Sequence, residues 1–125
     1  MATFLAPTWP FTQLDAVVMA GDRVLVVEGW DGRGIFSIPK AGGASTGIAS
    51  AYVTPYLAVH GDRVFYTDNF GGAELMHVAI TGRPSTLLYA RDDGTQAGGI
   101  DVDESCAYAT ISSSSREGEI LAVPY

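Results

Sequence analysis

The side chains able to do chemistry in this chain are few, and they sit mostly in turns. Asp92-Asp93 and Asp101-Val102-Asp103-Glu104 supply the carboxylate oxygens that a hard cation such as Ca²⁺ requires. Their spacing matches no complete calcium loop of the D-x-[DN]-x-[DN]-G kind, so the metal reading is an alternative and not the leading one. His60 and His77 are the only histidines, and Cys106 is the only cysteine. The lone thiol permits no internal disulfide and reads as a small buried hydrophobe within a strand. No G-x-S-x-G, H-E-x-x-H, Walker loop or C-x-x-C is present, and no residue is assigned a catalytic role.

What must position these residues is a set of short strands. Between Pro55 and Ala90, four apolar runs are separated by His60-Gly61-Asp62, Asp68-Asn69-Phe70-Gly71-Gly72 and Thr81-Gly82-Arg83-Pro84. Strands of this length joined by Gly, Asn, Asp and Pro turns predict an antiparallel meander. No apolar spacing of i, i+3, i+4, i+7 is sustained over three turns, so almost no helix is expected.

The pattern recurs. Gly61-Asp62-Arg63-Val64 lies 40 residues after Gly21-Asp22-Arg23-Val24, and the alignment runs without a gap through Ile38 on Val78. A third unit places Ala107-Tyr108-Ala109-Thr110 on Val64-Phe65-Tyr66-Thr67, and Pro124 on Ala79, with two extra residues in the Ser112–Ser115 loop. A period of about 40–45 residues with four strands per repeat is the signature of a β-propeller blade. The blades run approximately over residues 12–50, 52–91 and 97–125, within a single domain. The third unit lacks a fourth strand, and Ala2-Thr3-Phe4-Leu5-Ala6 matches the fourth strands of the other two. Residues 2–6 are therefore expected to close the last blade and cover its edge.

Val64-Phe65-Tyr66-Thr67-Asp68-Asn69 resembles the core of a YWTD-type blade. Ile35-Phe36-Ser37-Ile38-Pro39-Lys40-Ala41-Gly42-Gly43 is similar to NHL-like blades of six-bladed bacterial propellers. The motif is structural, and it implies a fold more than an activity. Relatives of this kind include binding modules, gluconolactonase-like hydrolases and virginiamycin B lyase. Six blades in the resembling family against three in this chain imply a homodimer closing one ring, in which residues 2–6 complete a partner's blade.

In such a ring, functional groups gather at one mouth, from the blade-to-blade loops and the second-to-third-strand loops. Those loops place Trp9, Trp30, Asp31, Tyr52, Asn69, Phe70, Asp92, Asp93, Gln96, Arg116 and Glu117 together. An acidic mouth rich in aromatics suits a sugar or a cationic ligand, through stacking and cation–π contact. The resemblance to hydrolases implies a metal-dependent alternative, with Asp15 and Asp101 on innermost strands and Asn69 as first ligands. Neither histidine lies on a mouth loop, which counts against the lyase. The expected function is a non-catalytic binding or scaffold module for a small polar ligand or a protein, with a purely structural half-propeller assembly or fragment as a further alternative.

Seven basic and 14 acidic residues give a net charge of −7, which argues against nucleic acid and against an anionic membrane. No apolar run approaches a membrane helix, and the start lacks the features of a signal peptide. The chain reads as soluble, in the cytoplasm by default, although the resembling proteins are often secreted.

Overall fold

The computed structural model describes residues 13–28, 34–50, 53–82, 84–113 and 116–125. Among them there is no helix, and eleven strands form three antiparallel sheets, each running in chain order. The first sheet holds β1 (Leu14–Ala20), β2 (Arg23–Glu28), β3 (Gly34–Pro39) and β4 (Thr46–Ala49). The second holds β5 (Val53–His60), β6 (Arg63–Asp68), β7 (Ala73–Ala79) and β8 (Thr86–Arg91). The third holds β9 (Gln96–Val102), β10 (Cys106–Ser113) and β11 (Arg116–Pro124). The expected fourth strand of this last sheet, residues 2–6, lies outside the described residues.

The turns follow from local chemistry. Gly21 and Gly61 both sit at φ 60, a conformation that glycine adopts without steric cost, and each opens a two-residue connection between a first and a second strand. The pairings of the first sheet recur in the second at an offset of 40 residues. Val24 faces Ile38 as Val64 faces Val78, and Ser37 faces Thr46 as His77 faces Thr86. Even the irregularity between Ile35 and Phe36 reappears between Leu75 and Met76.

The sheets stack face to face. Leu25, Val27, Ile35 and Ile48 of the first sheet pack with Val64, Tyr66 and Val78 of the second. Ala58, Phe65 and Leu75, on the second sheet's other face, pack with Ala107 and Ala109 of the third. The first strands lie side by side, β1 against β5 and β5 against β9. The middle sheet is thus enclosed on both faces, and β6 accordingly reads Val-Phe-Tyr-Thr-Asp without a polar side.

Two expectations require correction. Cys106 does not sit mid-strand in the core; it is the first residue of β10 and only half-buried. The turn Asp103-Glu104-Ser105 is held by the Asp103 carboxylate, which accepts the Ser105 and Cys106 amides and so starts the strand at the cysteine. The Ser112–Glu117 segment is also not one long loop. Ser113 pairs with Arg116, so the two extra residues lengthen a hairpin, with a register shift between Ile111 and Ser113.

Candidate functional site

Antiparallel meanders bring the ends of the second and fourth strands to the same end as the starts of the third and first. At that end, residues 69–72 after β6 meet residues 92–95 between β8 and β9. Asn69 is the clamp. Its Nδ2 donates to the Ala97 carbonyl at 2.9 Å, and its Oδ1 accepts the Ala97 amide at 2.8 Å. The neighbouring Thr67 hydroxyl donates to the Gly98 carbonyl at 3.1 Å. Two side chains from the end of the second sheet thereby satisfy the backbone of β9 and fix the third sheet against the second.

Beside the clamp lies a cleft of about 410 Å³, lined by Gly71, Gly72, Glu74, Ala90, Arg91 and Asp92. Gly72 is required by the close approach of β8. At φ 142, a Cβ there would run into the Arg91 carbonyl. Arg91 carries the cleft's positive charge. Its Nε donates to Asp93 Oδ2 and its Nη1 to Glu119 Oε2, both at 2.7 Å, and these carboxylates raise its pKa further, Glu119 more than Asp93. Asp93 also accepts the Thr95 amide at 3.2 Å, which shapes the loop. Glu74 and Asp92 leave the remaining wall acidic. A fixed guanidinium beside free carboxylates can orient a polar ligand bearing a cationic group and an acceptor.

Of the residues expected at the mouth, Asn69, Phe70, Asp92 and Asp93 come together here. Phe70 is exposed beside the glycines of the cleft, and its amide is accepted by Asp68 Oδ1 at 3.0 Å. Burial holds the Asp68 carboxyl above its ordinary range, partly offset by the amides of Phe70 and Asn69. Gln96 opens β9 and lines a separate polar cleft of about 390 Å³ with Gly94, Ser112 and Ser113. Arg116 and Glu117 belong to β11 and not to a loop, and their side chains lie outside the described part. Trp9, Trp30, Asp31 and Tyr52 also lie outside the described residues. Arg91, Glu74 and Glu119 were missed by sequence reasoning, because strand-end charges look like ordinary solvated positions. The one signal was the basic residue directly before Asp92-Asp93.

The metal alternative meets a poor donor set. Asn69 Oδ1 is committed to the Ala97 amide. Asp15 accepts from Gln13 Nε2 on β1 at 2.7 Å, and Asp101 accepts the Val102 amide on β9, with β5 lying between the two strands. Among the described residues no group of three His, Cys, Asp or Glu side chains could hold a metal ion. His77 packs against Phe65, with ring centroids 5.6 Å apart and planes tilted by 43°; its buried Nδ1 has no hydrogen-bond partner, and burial, then Arg63, lowers its pKa.

At the opposite end, Asp103 gathers a second polar cluster. Besides two amides it accepts the Tyr108 hydroxyl at 2.8 Å, which pushes the phenol pKa up to about 12. Tyr125 donates to the Asp103 carbonyl and meets His60 Nδ1 at 2.8 Å, with Arg63 5.9 Å above its ring. These contacts tie Tyr125 to the turns between first and second strands.

No protein-family model matches the sequence, and comparison with curated proteins finds no match.

Proposed function

We propose that this chain is a non-catalytic binding and scaffold module built from three propeller blades, which self-assembles and holds a small polar ligand or a protein segment at its mouth. The observation that carries this reading is the cleft formed where Gly71-Gly72 and Ala90-Arg91-Asp92 converge, at the end shared by the inter-sheet loops. Blade-like stacking is supported by the side-by-side first strands β1, β5 and β9 and by the pairings repeated every 40 residues. The clamp at Asn69 holds the start of the loop that leads into the cleft, which suits recognition. A metal-dependent hydrolase through Asp15, Asp101 and Asn69 has less support, since Asn69 Oδ1 already accepts the Ala97 amide and β5 lies between the strands that carry the two aspartates.

Amide chemical-shift titration with glucose, choline and arginine tests the reading. Shifts confined to residues 70–74 and 90–96, lost in Glu74→Gln or Asp92→Asn, are expected for at least one probe. Perturbation by none of them, or perturbation elsewhere only, overturns the binding site. Stabilisation by Ca²⁺ that disappears in Asp15→Asn and Asp101→Asn would favour the hydrolase instead.

A further inference from the structure

We propose that the outward face of the first sheet docks onto the outward face of the third sheet of a second copy of this chain, twice over, in a closed head-to-tail dimer. This rests on the blade reading, and it assigns the surfaces.

The chain contains this junction internally. Where the first and second sheets meet, the second sheet contributes Leu57, Val59, Val64, Tyr66, Met76 and Val78. Forty residues earlier stand Val17, Met19, Val24, Val26, Phe36 and Ile38, all six apolar. Strand pairing places them on one face of the first sheet: Val17 opposite Val26, Met19 opposite Val24, Phe36 opposite Val26 and Ile38 opposite Val24. That face points away from the second sheet. Val24, Val26 and Ile38 form their own cluster there with Phe36, while Val17 is 66% and Met19 57% exposed. It is a receiving face with nothing in this chain to receive.

The complement stands at the other end. The second sheet offers Ala58, Phe65 and Leu75 to the third. In β-sheet register, Phe65 faces Ala58 on β5, and Thr67 faces Leu75 on β7. The third sheet repeats this layout, with Tyr108 facing Asp101 on β9 and Thr110 facing Ile120 on β11. Leu75 is 1% exposed but Ile120 is 81%. Between Tyr108, Thr110 and Ile120 runs a hollow of about 330 Å³. Exposed β-branched and aromatic side chains at the very positions that are buried one sheet earlier mark a contact surface.

A second copy is the occupant the geometry favours, because it carries the face that the chain already uses as a partner at each internal junction. Each copy brings one receiving and one offering face, so two copies form two identical junctions related by a twofold axis and leave neither face open.

Light scattering on a sizing column tests this with the wild-type chain, Val17→Asp and Ile120→Asp. Both sites are exposed in the single chain, so circular dichroism should stay unchanged. The wild type is expected at twice 13.2 kDa. Each variant places an unpaired charge in both junctions and should weaken the dimer by about a hundredfold or more. Mixing the two variants restores one intact junction, so the 1:1 mixture should regain dimer mass that neither shows alone. A wild-type mass of 13.2 kDa or an open-ended polymer overturns the closed dimer. A dimer broken by Val17→Asp but untouched by Ile120→Asp overturns the head-to-tail assignment, and so does a mixture that stays monomeric. Ligand shifts at the mouth that persist in a monomeric wild type would retain the binding reading while this inference fails.

Discussion

β6 of the middle sheet and β10 of the third run through equivalent positions, yet their environments differ. From Val64 to Asp68 every β6 residue is buried, whereas β10 alternates strictly, with Ala107, Ala109 and Ile111 inside and Tyr108, Thr110 and Ser112 outside. The backbone layouts match, so strand formation does not depend on the second neighbour. What the second neighbour changes is exposure: Leu75 and Thr67 of the middle sheet are buried, whereas Ile120 and Thr110 at the equivalent positions of the third are exposed in the single chain. The same contrast separates the two faces of the first sheet.

The largest expected effect breaks this comparison if it is wrong. Leu75→Ala should cost about 2–5 kcal/mol, because a buried side chain leaves a cavity between two sheets. Ile120→Ala at the equivalent site should change folding by no more than about 0.5 kcal/mol in the single chain. Urea denaturation in a Val17→Asp background, where no dimer contributes, checks both; equal losses would mean that the third sheet's outer face is not open.

Next comes the clamp between the two regions. Asn69→Ala removes both bonds to Ala97 and orphans its buried amide, and a loss of about 1–3 kcal/mol is expected. Hydrogen exchange should speed up at residues 97 and 98 while the first sheet stays protected. Uniform acceleration would show that the third sheet has no separate stability. Gly72→Ala sharpens the picture on the cleft side. Its Cβ meets the Arg91 backbone, so a loss of about 1–2 kcal/mol is expected, with amide shifts centred on residues 71–74 and 90–92.

Much of this architecture was legible in the sequence, for identifiable reasons. Turn glycines and β-branched runs bracketed β5 to β8 closely, and the Gly-Asp-Arg-Val repeat located the two matching turns. The repeat set Tyr108 on Phe65, yet Tyr108 is exposed where Phe65 is buried, because periodicity reports which face a residue shares and not what covers that face. Asn69 looked like a ligand-binding amide, and it is a backbone clamp; only the approach of β9 reveals that. The Arg91–Glu119 pair spans 28 residues and two sheets, so no local pattern could have shown it.

The smallest effect concerns two aspartates, one in each of the contrasted sheets. Asp103 accepts the Ser105 and Cys106 amides and the Tyr108 hydroxyl, and its carboxyl is held well below the usual range. The folded state therefore binds this proton more weakly than the unfolded chain, so its contribution is present above about pH 4 and lost as pH falls toward the lowered value. Asp68 has the opposite sign. Burial raises its pKa, so its contribution is present below about pH 4 and lost as pH rises through the raised value. Melting temperatures between pH 3 and 7 should then diverge between variants. Asp103→Asn should lower stability at neutral pH and flatten the acid-side loss, while Asp68→Asn should leave neutral stability equal or slightly higher, since an amide oxygen still accepts the Phe70 N–H. Parallel pH profiles for the two variants would contradict the assignment of burial to one carboxylate and donor contact to the other.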